Sequence, residues 1–222
     1  MAHLSVNSWM NSSVSSSGQT EPVDSLLLRP FGRGGVLAEV ADSAAARSLA
    51  SYARSAQVAA VEVVPGARTV LFDGVADVEA LERVLAGWAP ASEAGQGELV
   101  EVPVVYDGAD LEYVAERWGT DVDGVVTRHT GIDFVSAFCG FAPGFAYLSG
   151  LSDEHAVPRL DSPRARVPAG AVGLAGAWCG VYPTTSPGGW RLLGHTEVRL
   201  WDAARREPAL LAPGTRVRFV AR

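Results

Sequence analysis

From residue 133 onward, short apolar segments alternate with glycine and proline, and neither a long helix nor a long strand has room to form. Glycine weakens a helix and proline breaks one, so this half must be built from short strands and tight turns. The strand candidates lie at 134–138, 171–177, 190–194, 198–201 and 217–220. Many short strands with frequent Gly/Pro turns predict a closed or nearly closed β-barrel.

The stretch GFAPGFAYL at 140–148 sets three aromatics around Pro143-Gly144. Proline presets φ and glycine accepts φ > 0, so the chain turns here. Phe141, Phe145 and Tyr147 are expected to divide between barrel packing and a cleft wall. Tyr147 is the expected outward ring, because its hydroxyl needs a polar partner if buried.

The first half has a different texture. Residues 24–40 read as a strand, a glycine turn and a second strand, and 42–54 as an Ala-rich helix capped by Asp42 or Ser43. Strands at 58–64 and 69–72 flank a Pro65-Gly66 turn. Asp77 heads a helix with Val78, Leu81 and Leu85 on one face, ended by Gly87. The segment APASEAGQG at 89–97 is the best linker in the chain. Beyond it, a strand at 99–106 carries Pro103, which argues for a sheet edge. A helix headed by Asp110 and another headed by Thr120 follow, the second ending its apolar stripe at His129. The expected organisation is a disordered Ser-rich tail (1–23), a small α/β N-terminal domain (24–88), the linker (89–97) and a barrel domain (98–222). The fold class is α+β.

Composition excludes several functions. The 222 residues are 48% hydrophobic, enough for a substantial core, with a net charge of −7 and no Lys/Arg block to track nucleic acid. No apolar run approaches the ~20 residues of a membrane span. The first residues lack the basic and apolar regions of a signal peptide, so a cytoplasmic protein is expected, with Cys139 and Cys179 as free thiols. Neither C-x-x-C nor H-E-x-x-H occurs, and no metal site is expected at His129, His155 and His195.

Three further stretches carry possible chemistry. In PAGAVGLAGAWCG, Gly170, Gly173, Gly176 and Gly180 either expose backbone N–H groups to an anion or let strands approach closely; there is no Walker or Rossmann ending. In VPRLDSPRARVPAG, Arg159, Arg164 and Arg166 stand on a proline-stiffened loop suited to carboxylate or phosphate, or to plain solvation. In SPGGW, Pro187-Gly188 suits a type II turn presenting Ser186 and Trp190. Ser186 has no base in sequence beside it, which makes it a poor nucleophile. His129 is either a core-edge histidine or an acid/base group, and His195, beside Thr196, is equally ambiguous.

The order and spacing of these pieces, from GFAPGFAYL through the two Pro-Arg pairs and the G-x-Y-P step to SPGGW, resemble the KipI family. That family includes the B subunit of 5-oxoprolinase (PxpB) and proteins labelled allophanate hydrolase subunit 1. The resemblance implies a small α+β domain followed by a cyclophilin-like β-barrel. It implies a KipA/PxpC-type partner and, in PxpB-like assemblies, a PxpA-type third subunit. Such assemblies open 5-oxo-L-proline to L-glutamate at the expense of ATP, with ATP used by the complex and no cofactor expected on this chain. Two alternatives come with the family: a carboxyltransferase half acting on urea-like amides, and a KipI-like inhibitor of a histidine kinase. On the enzymatic reading, catalytic candidates are His129, Arg164 and His195. Substrate-binding candidates are Phe141, Pro143, Gly144, Phe145, Tyr147, Arg159, Arg166, Gly173, Gly176, Tyr182, Ser186, Pro187, Gly188, Gly189, Trp190 and Thr196. Four residues at three places depart from the family pattern: Ala171 where Ser is common, Trp178-Cys179 in place of Gln-Thr, and His195 where Arg is frequent.

Overall fold

The structure, a computed structural model, describes residues 26–90 and 97–222. The expected tail (1–23) and most of the expected linker (89–97) lie outside the described residues.

The first unit contains β1 (Leu27–Phe31), β2 (Gly35–Glu39), α1 (Ser43–Ser55), β3 (Glu62–Pro65), β4 (Thr69–Asp73) and α2 (Val78–Leu85). The strands form one antiparallel sheet in the order β1-β2-β4-β3. Both helices begin where an Asp satisfies an orphan backbone donor. Asp42 accepts from the Ala45 N–H at 2.8 Å, and Asp77 from the Ala80 N–H at 2.9 Å. Ala46, Leu49, Ala50 and Ala53 of α1 are fully buried in one core with Val36, Ala38, Val70 and Phe72 of the sheet. Alanines on that face let helix and sheet approach closely.

The expected strand at 58–64 starts only at Glu62. The end of α1 explains the delay. The Gln57 N–H donates to the Arg54 carbonyl and the Val58 N–H to the Ala53 carbonyl, with Gln57 at φ +51°. This is a Schellman-type stop, and it uses the residues read as the start of the strand.

The second unit contains β5 (Leu99–Val104), α3 (Leu111–Arg117), α4 (Val122–Thr130), β6 (Phe134–Cys139), β7 (Ala146–Ser149), a 3-10 turn (Asp153–His155) and β8 (Arg164–Val167). Then follow β9 (Ala171–Ala175), β10 (Trp178–Val181), β11 (Ser186–Gly188), β12 (Arg191–His195) and β13 (Arg216–Ala221). Seven strands form a sheet in the order β12-β9-β10-β7-β6-β13-β5. Its edges meet where Val105, just past β5, pairs antiparallel with His195: each N–H donates to the other's carbonyl at 2.9 Å. The sheet thus curls into a nearly closed barrel, in a mixed α+β fold. Glycines permit the closure: a methyl at Gly194 would overlap the Val105 carbonyl, and one at Gly108 would overlap the Leu192 and Leu193 backbone. Val102, Val104, Phe134, Leu148, Val172, Leu174, Leu193, Val217 and Phe219 fill the interior, and Leu111, Val114 and Val125 of α3 and α4 seal it.

Pro103 lies in β5 at the end of the strand order, as an edge proline should. Other expectations are corrected. Residues 198–201 form no strand; Trp201 makes only an isolated bridge to Ala209. The cap of α4 is Asp121, which accepts from the Gly124 N–H at 2.7 Å, rather than Thr120. Asp110 precedes α3 but makes no capping bond. SPGGW is not a turn: Ser186–Gly188 is β11, paired with β8 at Ser186–Val167 and Gly188–Arg164. Pairing across this two-stranded ribbon overrides the local Pro-Gly preference. Among the described residues, no helix is long and apolar enough to cross a membrane.

Candidate functional site

The turn at Pro143-Gly144 forms as its residues dictate. The Phe145 N–H donates to the Ala142 carbonyl at 2.9 Å and Gly144 sits at φ +86°, the type II pattern. Just before it, the Ala142 N–H donates to the Gly140 carbonyl at 2.8 Å around Phe141, whose φ of +68° marks the rare and strained hand of a three-residue turn. The ring so displayed is 61% exposed. Phe141 is therefore the outward ring, while Phe145 is buried and Tyr147 half-buried, stacked on Phe138 at 4.5 Å.

These rings form one wall of a cleft of ≈ 530 Å³ between the β6–β7 turn and the β8–β11 ribbon. Its lining is Phe141, Phe145, Tyr147, Arg159, Pro163, Tyr182, Pro187, Gly188, Gly189 and Trp190. Phe145 is the hub, with Tyr147, Tyr182 and Trp190 edge-on at 5.1, 5.4 and 5.3 Å. Glycines let the rings seat. The Tyr182 ring lies against the Gly188 backbone, where a methyl would overlap it. A methyl at Gly180 would stand 3.0 Å from the Trp190 indole and 3.1 Å from the Phe145 ring. Gly173 lies beneath the Trp190 Cβ in the same way, at 3.2 Å. The close-packing reading of the glycine series accounts for Gly173 and Gly180.

Arg159 is the cation of the cleft. It is exposed and has no ion-pair partner among the described residues. Burial pushes the Tyr147 and Tyr182 phenols above their ordinary range, and the Arg159 charge opposes that in both. Both remain neutral donors at physiological pH. The arrangement can hold a small flat molecule against aromatic faces while pairing one negative charge.

Residues 26–211 match the family described as carboxyltransferase domain, subdomain C and D. The chain belongs to this carboxyltransferase family. It is 46% identical over 169 residues to a protein of Escherichia coli O157:H7 named as the B subunit of 5-oxoprolinase, covering 72% of this chain and 77% of that one. A Haemophilus influenzae protein of the same name is 38% identical over 183 residues, covering 78% and 86%. Among solved structures, TTHA0988 superimposes with a TM-score of 0.73 at 34% identity over 85% of this chain, which spans only 39% of that longer chain. The Kluyveromyces lactis urea carboxylase, at 19% identity and a TM-score of 0.66 over 89% of this chain and 22% of its own, shares the fold.

In this carboxyltransferase-type chain, several expected site residues lie away from the cleft. His129 is corrected from acid/base candidate to core residue. It is fully buried and stacked on Phe219 at 4.6 Å, with Nδ1 2.6 Å from the Tyr106 hydroxyl and Nε2 3.4 Å from Cys179 Sγ. Burial pushes its pKa down to about 3, so it stays neutral at physiological pH. His195 sits at the barrel seam with Nδ1 2.9 Å from the Asp107 carboxylate. It ends β12 five residues after Trp190, roughly 16 Å along an extended strand. Arg164 stands behind the cleft wall with its guanidinium already engaged: Nη1 donates to the Trp190 carbonyl at 3.1 Å and Nη2 to Asp110 at 2.7 Å.

Pro143 and Gly144 shape the turn, with Gly144 pressed against Leu200 and Trp201. Arg166 is exposed on β8, and Gly176, at φ +58°, makes the two-residue turn between β9 and β10. Thr196 is buried: its N–H donates to the Gly170 carbonyl and its hydroxyl accepts from the Val198 N–H. Ser186 Oγ is buried without a hydrogen-bond partner among the described residues. Among the described residues, no His, Cys, Asp or Glu cluster gathers that could hold a metal. Sequence reasoning missed Pro163, whose only signal was its place in the Pro-Arg pair, and Asp110, whose place before a helix pointed to capping instead.

Proposed function

We propose that this chain is the PxpB-type subunit of an ATP-dependent 5-oxoprolinase, working with KipA/PxpC-type and PxpA-type partners to convert 5-oxo-L-proline to L-glutamate. The observation that carries the reading is a lone guanidinium, Arg159, at an aromatic-walled cleft in a chain 46% identical to a protein named as the B subunit of 5-oxoprolinase. 5-Oxo-L-proline is a flat lactam bearing one carboxylate. Its ring lies on the aromatic floor of Phe145, Tyr182 and Trp190 beside the exposed Phe141, and its carboxylate pairs with Arg159.

The lactam is resonance-stabilised and resists water. Transfer of the γ-phosphoryl group of ATP to the lactam oxygen makes the ring carbon electrophilic. Water then adds there, the C–N bond breaks and phosphate leaves. This chain has no phosphate-binding lysine motif, so its part is to bind and orient the lactam while partners handle the nucleotide.

The test is co-expression with the partner subunits and an assay of 5-oxoproline-dependent ATP hydrolysis and glutamate formation. Arg159→Ala is expected to raise KM for 5-oxo-L-proline roughly 10- to 100-fold, the scale of a lost charge-assisted hydrogen bond, with Arg159→Lys recovering part of it. An assembled complex that ignores 5-oxoproline and carboxylates urea would defeat the reading. Turnover by the isolated chain would defeat the dependence on partners.

A further inference from the structure

The side chain of Asp110 is 7% exposed and lies outside the cleft, yet its contacts converge on the cleft from behind. Its Oδ2 accepts from Arg164 Nη2 at 2.7 Å and from the Leu192 N–H at 2.7 Å, and its Oδ1 from Arg191 Nη1 at 3.4 Å. Each arginine then passes on to a backbone carbonyl. Arg164 Nη1 donates to Trp190, the residue whose indole forms the cleft wall, at 3.1 Å. Arg191 Nε donates to Pro158, the residue before Arg159, at 3.2 Å. The other side of Arg159 is tied as well: the Leu160 N–H donates to the Gly189 carbonyl at 2.8 Å. Arg191 is itself clamped, with its guanidinium 3.7 Å above the Tyr113 ring of α3.

A carboxylate bearing this many charge-assisted bonds is costly to bury unless all are satisfied together, which makes the cluster rigid. A mere helix cap would have turned its oxygens to the α3 backbone; Asp110 turns them to two arginines and a strand.

We infer that Asp110 is a positioning residue for the cleft, holding the Trp190 wall through Arg164 and the Arg159 cation through Arg191. The part concerning substrate rests on the reading that this cleft takes 5-oxo-L-proline. The part concerning Trp190 does not.

The chain has six tryptophans, so Trp190 is read by difference. Near-UV circular dichroism of the full chain is recorded for wild type, Trp190→Phe and Asp110→Asn. The first pair isolates the indole's own signal. Asp110→Asn is expected to remove most of that signal with the far-UV spectrum unchanged. In the assembled complex it is expected to raise KM for 5-oxo-L-proline about tenfold with kcat within about twofold, since binding rather than chemistry is disturbed.

A folded Asp110→Asn that keeps the Trp190 signal overturns the inference, as does an active complex with unchanged KM. If Asp110→Asn does not fold, Arg164→Met decides, because it cuts the arm to Trp190 and leaves the Leu192 and Arg191 contacts of Asp110 in place; an unchanged Trp190 signal there is equally fatal. A wild-type complex without 5-oxoproline dependence defeats the functional reading alone, and the dichroism still decides the positioning role.

Discussion

Acidification from pH 7 to pH 4 is expected to destabilise the folded chain by about 3 kcal/mol through His129 alone, given a folded pKa of about 3 against 6.5 for a free histidine. The sign follows from which state takes the proton first. Between pH 6.5 and 3 the unfolded chain holds a proton on this imidazole and the folded chain does not. The contribution is therefore fully present above pH 6.5 and is lost progressively as pH falls towards 3. The groups touching the ring do not blur the effect. Burial raises both the Tyr106 phenol and the Cys179 thiol, so neither titrates in this window.

Urea unfolding at pH 7, 5.5 and 4 measures the loss. His129→Phe should keep the ring stack with Phe219 while leaving the Tyr106 hydroxyl and the Cys179 thiol without their partner, so it starts less stable at pH 7. Its stability should then fall less steeply with acid than that of the wild type. Equal slopes in the two proteins would show that His129 is not a buried neutral imidazole.

Gly194→Ala should open the barrel seam, costing on the order of 3 kcal/mol or more and lowering Tm by about 6–12 °C. The added carbon overlaps the Val105 carbonyl and stands 2.9 Å from the Tyr106 Cα. Backbone on both sides is fixed by the two Val105–His195 hydrogen bonds, so relief requires opening the seam. Amide exchange at Val105 and His195 should speed up together, ahead of the rest of the barrel. Gly176→Ala is the control. Nothing lies within 4 Å of its added methyl, so only the cost of φ +58° remains, about 1 kcal/mol. Unchanged stability and still-protected seam amides in Gly194→Ala would mean that the barrel does not close there.

The parts of the fold legible in the sequence were those fixed by neighbours in the chain. Asp42 and Asp77 cap the helices they precede, and Ala142–Phe145 turns as Pro143-Gly144 requires. The misreadings fall where a distant partner overrides a local preference. Ser186–Gly188 carries turn residues but is drawn straight by β8, and Asp110 has a capping residue's place but answers to Arg164, Arg191 and Leu192.

The cleft shows the same division. Its aromatic and glycine residues announced themselves as an unusual cluster, and Phe141, Phe145, Tyr147, Tyr182 and Trp190 do come together. Which polar groups reach them depends on strand pairing that no local pattern encodes. His129 and Arg164 carry attractive chemistry, but the topology sends one into the core and ties the other behind the wall.

The seam and its neighbouring strand also set a timetable for folding. In β5, the barrel's opening strand, Leu99–Val104 pairs in parallel with Arg216–Ala221, and Val105 pairs with His195. As the chain leaves the ribosome, β5 must wait for more than a hundred residues before its ladder exists, whereas the first sheet finds all its partners within Leu27–Asp73. Contacts so far apart in sequence form slowly, and an unpaired apolar strand is exposed to other nascent chains meanwhile. Glu101 and Pro103, a charge and a missing backbone donor within LVEVPV, blunt that edge during the delay.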